Sequence, residues 1–65
     1  MNSTANIERH IVEILTHDHT RYTLAFIAQR VGEAQATTRT ALRHLVRAGK
    51  VVATEENGKV VYTIP

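Results

Sequence analysis

YTLAFIAQRVGEAQATTRTALRHLVRAGKVV, residues 22–52, holds two short apolar-periodic segments, each closed by a glycine. In the first, about 24–31, Leu24, Ile27, Ala28 and Val31 share one helical face, Thr23 stands at the N-cap, and Gly32 follows where a left-handed residue is wanted. In the second, about 35–48, Thr38, Ala41, Leu42 and Leu45 recur at i, i+3, i+4 and i+7, and Gly49 ends the run. The opposite face of this second helix carries Ala36, Thr40, Arg43 and Arg47, with Arg39 on the flank. Arg39, Arg43, Arg47 and Lys50 lie in a block, 34–50, that contains no acid.

The flanks are legible by the same periodicities. Ile7, Ile11, Ile14 and Leu15 form one stripe of a helix over about 4–17, with Ser3 or Thr4 able to cap it. HDHT, 17–20, breaks that pattern, and Tyr22 suits a brief strand. After Gly49, VVATEE and KVVYTI flank Asn57-Gly58, the strongest short signal for a two-residue type I′ hairpin over about 51–64. That turn sets Glu56 against Lys59, Thr54 against Val61 and Val52 against Thr63. On the other face it sets Ala53 against Tyr62 and Val51 against Ile64, and this more apolar face is expected to be the core side.

Composition bounds the function classes. Sixty-five residues make one domain, 1–65, with a small core. Without cysteine there is no disulfide and no Cys-ligated metal. No apolar run approaches the roughly 18 residues of a membrane span, and MNSTANIERH has neither the basic start nor the apolar stretch of a signal peptide. A soluble, cytoplasmic protein is expected, nucleoid-associated in a prokaryote. Net charge is only +2, but its segregation matters more: the six acids all lie outside 34–50, as in an electrostatic footprint for nucleic acid. There is no nucleophile–base pair, phosphate-cradling Gly loop or paired carboxylate, so no enzyme and no cofactor are expected.

Helix, short strand, helix, tight turn, helix and hairpin is an α+β order that resembles the winged helix-turn-helix superfamily over nearly the whole chain. Regulators such as the multiple-antibiotic-resistance repressor family read T-x-x-x-I-A, a Gly, then x-S-T-V-x-R-x-L-x-x-L-x-x-x-G. Thr23, Ile27, Ala28, Gly32, Thr37, Ala41, Leu42, Leu45 and Gly49 fall on that pattern. Departures are Ala34 where a capping Ser or Asp is usual, leaving Gln35 or Glu33 to serve, Phe26 where Glu is frequent, and Thr38 in place of a buried Val. The resemblance implies double-stranded B-form DNA as partner, with the third helix in the major groove.

On that resemblance the expected DNA-binding residues are Gln35, Ala36, Thr37, Arg39, Thr40, Arg43, Arg47 and Lys59. A charged helix face is ordinarily just solvated, but such a face mixes signs, whereas this one repels itself at 39/43 and 43/47. Gln35 and Arg39 suit base edges, adenine and guanine respectively; Arg43 and Arg47 suit phosphates. Lys59 is the one cation of the wing, beside Glu55 and Glu56. Phe26 and, more weakly, Val12 are candidate dimer or partner contacts; for Phe26 the ordinary alternative is packing against Tyr22 or the first helix. His17-x-His19 has only Asp18 nearby, so no metal site is expected, and His44 beside the basic face is read as an ordinary exposed histidine. Z-DNA-binding domains share the fold. By resemblance they carry an Asn and a Tyr on the recognition helix and a Pro-rich wing with a Trp. Aligned on Leu42 and Leu45, this chain has Arg39 and Arg43 there, and its wing has neither Pro nor Trp. A left-handed DNA reading is therefore not favoured.

The expected function is sequence-specific DNA binding by a transcriptional regulator, a repressor before an activator. Few cations per copy imply a homodimer or a cooperative assembly on DNA. Two alternatives use the same fold: a protein-interaction module that docks an acidic partner, and an architectural or excisionase-type factor that bends DNA.

Overall fold

The inner stripe of the second glycine-closed segment organises the molecule, because three helices can hide their apolar faces only by crossing around it. The structure, a computed structural model, describes residues 4–65. The order is α1 (Thr4–Asp18), β1 (Tyr22–Thr23), α2 (Leu24–Val31), α3 (Gln35–Arg47), β2 (Val52–Glu56) and β3 (Lys59–Thr63). Ser3, one of the two expected caps of α1, lies outside the described residues. The core gathers Ile7, Ile11 and Leu15 from α1, Ile27 from α2, Ala41, Leu42 and Leu45 from α3, and Val51. Ile11, Ile27, Ala41 and Leu42 are fully buried, and each large aliphatic side chain so buried is worth about 1.5–3 kcal/mol.

Thr38 lies in the same buried stripe. It fits there because its hydroxyl donates to the Ala34 carbonyl at 3.0 Å, so the polar group is satisfied within the helix. The cap of α3 differs from expectation. Ala34 is the N-cap with no side-chain hydrogen bond, and Gln35 is the first helical residue. α2 is capped as expected, the Thr23 hydroxyl accepting from the Phe26 amide at 3.3 Å.

Both helices stop by the same device. Gly32 and Gly49 are left-handed, with φ of 74° and 77°. Beyond them the Glu33 amide donates back to Ala28 and the Lys50 amide to Leu45, which satisfies carbonyls the helix leaves open.

Asn57 and Gly58 also have positive φ, as a type I′ turn requires. The hairpin register is the expected one, from Val52 opposite Thr63 to Glu56 opposite Lys59. β1 adds to it, Tyr22 pairing with Tyr62 and Thr23 with Val61, so β3 is the central strand of an antiparallel sheet ordered β1-β3-β2. One expectation about the hairpin is corrected. Val51 is buried, and Tyr62 and Ile64 pack on the core, but Ala53 is exposed. β2 packs chiefly on β3 rather than on a helix, so from Val52 onward its inner face is little covered.

Asp18 ties the end of α1 to β1 and α2. Its carboxylate accepts from the Tyr22 hydroxyl at 2.6 Å and from Arg30 at 3.3 Å, and lies 2.9 Å from the His17 ring. These contacts, the Tyr22 hydroxyl first and His17 next, hold its pKa down at about 2, against 3.8 ordinarily, although partial burial opposes them. The same bond pushes the Tyr22 phenol up.

Two outcomes follow from this construction. Gly49→Ala puts a Cβ on a left-handed residue and should cost about 1 kcal/mol, read as a melting temperature lower by roughly 4–8 °C. Because the folded-state pKa of Asp18 is depressed, its contribution is present above its unfolded value and lost as pH falls through about 2. Asp18→Asn should therefore be less stable than wild type at neutral pH. In melts across pH the difference should shrink between 3.8 and about 2; a constant difference over that window would contradict the assignment.

Candidate nucleic-acid interface

The inner stripe of α3 fixes how the helix is rotated, so its outer face must present the arginine column. Arg39, Arg43 and Arg47 are all exposed. They line an open groove of about 540 Å³ between α3 and the sheet, together with Val46, Ala53 and Tyr62. A second groove of about 480 Å³ runs along the start of α2. Thr23, Leu24 and Ala25 form one side, and Arg39, Lys59, Val60 and Tyr62 the other. Arg39 and Tyr62 belong to both, so they stand where the two grooves meet.

The expected residues are therefore gathered in part. Arg39, Arg43 and Arg47 share one groove, and Lys59 joins Arg39 in the other. Gln35, Ala36, Thr37 and Thr40 stand exposed along α3, outside the linings of both grooves. The Thr40 hydroxyl donates to the Ala36 carbonyl at 3.2 Å. Lys50 turns away to a crevice with Glu8, Arg9 and Val12.

Phe26 is 37% exposed and stacks on Tyr22 at a centroid distance of 4.2 Å, with the Arg30 guanidinium 5.7 Å over its ring. Val12 is half-buried against the core. Sequence reasoning missed Tyr62, Val46, Ala53 and Val60 as groove-lining residues. The signal for Val46 was present: it lies three residues after Arg43, on the arginine side of α3.

Ion pairing separates the cations by place. Arg9 pairs with Glu13, Arg21 with Glu56 and Arg30 with Asp18, while the His44 ring lies 3.2 Å from Glu8. Among the described residues, Arg39, Arg43, Arg47, Lys50 and Lys59 have no ion pair. Four of those five line the two grooves. Glu56, which would otherwise set an anion at the tip of the hairpin, is engaged by Arg21. Three guanidiniums held side by side on an uncompensated face attract a polyanion, and planar donors suit phosphate oxygens. Among the described residues there is no group of side chains that could hold a metal ion, and no helix is long and apolar enough to cross a membrane.

No family model and no curated protein matches this sequence. Solved structures do resemble it. The Zα domain of PKZ from Carassius auratus, in complex with Z-DNA, superposes with a TM-score of 0.86 at 22% identity, covering 98% of this chain and 100% of that one. AdcR, the adhesin competence repressor of Streptococcus pyogenes, gives 0.82 at 21% identity over 92% of this chain and 46% of its own. The homodimeric winged helix-turn-helix DNA-binding domain of Mb0332 from Mycobacterium bovis gives 0.79 at 24% identity, over 89% and 52%. At these identities the likeness is one of fold. Three helices, a hairpin wing and a short strand completing the sheet make this chain a winged helix, with α2 and α3 as its helix-turn-helix pair.

Proposed function

We propose that this protein binds double-stranded DNA in a sequence-specific manner and acts as a transcriptional regulator, a repressor before an activator. In this reading α3 enters the major groove of B-form DNA. Gln35 and Arg39 meet base edges, Arg43, Arg47 and Lys59 hold phosphates, and Ala36, Thr37 and Thr40 line the contact. The observation that carries it is the sorting of charge: among the described residues every cation lining the two grooves lacks an ion pair, while Arg9, Arg21 and Arg30 elsewhere are paired. The fold neighbours support the same direction, since one is a repressor and another a homodimeric DNA-binding domain by description. A homodimer or cooperative array supplies the phosphate contacts that one copy lacks, with Phe26 and Val12 as its contacts. The reading needs no cofactor or catalytic step and places the protein in the cytoplasm with the DNA.

The test is fluorescence anisotropy of a labelled mixed-sequence duplex across salt concentrations. Wild type should bind with a steep log–log salt slope. Arg39→Ala/Arg43→Ala should bind more weakly, its slope shallower by about two units, at about 0.9 per phosphate neutralised. Equal binding by the variant, or no wild-type binding at low salt, would move the reading to a module that docks an acidic protein.

Left-handed DNA is a second reading, favoured by one observation: the Zα domain bound to Z-DNA matches 98% of this chain. Circular dichroism of an alternating C–G duplex separates the two. The B-form reading expects an unchanged spectrum on saturation with protein; an inverted one would transfer the function to left-handed DNA.

A further inference from the structure

Tyr62 reads from sequence as a core residue, and half of it is one: its ring packs against the core from the central strand. Its other side opens on both cationic grooves. The two tyrosines of the chain differ in how their hydroxyls are used. That of Tyr22 donates to Asp18 at 2.6 Å. That of Tyr62 has no hydrogen-bond partner among the described residues. β1 and β2 flank Tyr62 on either side, Tyr22 and Ala53 being its register partners, so its backbone is held and little freedom remains to be lost on binding.

The surroundings of this hydroxyl identify an occupant. The groove wall below the arginines is apolar, made by Val46, Ala53 and the Tyr62 ring, and its rim is cationic, made by Arg39, Arg43 and Arg47. A nucleic-acid strand has the matching alternation, a charged phosphate followed by a largely apolar sugar. The hairpin tip offers less, because Lys59 is its one cation and Glu55 stands close before its turn.

We propose that the channel between α3 and the sheet seats one sugar–phosphate strand of the bound duplex. Tyr62 donates its hydroxyl to a phosphate oxygen there, and Ala53 and Val46 lie against the sugars. The wing then contacts DNA through the face at its base, in addition to Lys59 beside its turn. This rests on the DNA-binding reading above and adds to it a positioning contact from the sheet.

A neutral donor leaves a different signature from an arginine. Removing it weakens binding but releases no fewer counterions, so the salt slope stays the same. The experiment is anisotropy of the labelled mixed-sequence duplex with wild type, Tyr62→Phe and Ala53→Glu, alongside thermal melts. Tyr62→Phe keeps the ring and should melt as wild type does. It should bind about tenfold more weakly, the scale of a hydrogen bond to a charged group, with an unchanged slope. Ala53→Glu alters a residue that is already exposed, so it keeps the test readable if Tyr62→Phe lowers the melting temperature. It sets an anion in the channel and should weaken binding at least as much. Steep, salt-dependent wild-type binding with both variants within about twofold of it would overturn the channel assignment and leave the DNA-binding reading standing. No wild-type binding at low salt would remove both.

Discussion

The fold depends on how α3 is buried. Thr38, Ala41 and Leu42 are completely enclosed and Leu45 nearly so, where α3 packs against α1 and α2. A helix has only one rotation that hides four residues at i, i+3, i+4 and i+7. Once that rotation is fixed, Arg39, Arg43 and Arg47 must face outward together, whatever their mutual repulsion costs the helix. Ala28 and Ala41 are small and buried, one on each of the two packed helices α2 and α3, and small side chains permit a close approach.

Electrostatics then divides the surface. On the side of α1 and the α1–β1 junction, carboxylates take up the nearby cations: Asp18 takes Arg30, Glu13 takes Arg9 and Glu56 takes Arg21. These are exposed or half-exposed pairs, which contribute little to stability individually. Their consequence is one of distribution. They neutralise much of the periphery and, Lys50 apart, leave the unpaired cations of the described residues at the two grooves. The Arg21–Glu56 pair matters most here, because it joins the stretch before β1 to the wing and removes an anion from the hairpin tip.

The short strand β1 has an effect larger than its length. By pairing with β3 it turns a two-stranded hairpin into a three-stranded sheet with Tyr62 in its middle row. An isolated hairpin is marginal in water, and a third strand with helix packing gives it independent stability. The groove beside α3 therefore has one wall on a helix and the other on a supported sheet, which is what holding a ligand in fixed register requires.

Much of this was legible in residue order, because helices, caps and tight turns are local. The limits of α2, its Thr23 cap, the left-handed Gly32 and Gly49, the Asn57-Gly58 turn with its register and the buried stripe of α3 all follow from periods and turn chemistry within a few residues. The arginine column follows from the same period. What local pattern could not supply is set by pairs far apart in the chain. Arg21 meets Glu56 and Glu8 meets His44 across 35 and 36 residues, and Tyr22 pairs with Tyr62. Which cations lack a partner, why Ala53 is exposed and why Tyr62 borders a groove while resting on the core depend on where the sheet crosses the helices. That crossing is decided by packing in three dimensions, and no spacing along the sequence encodes it.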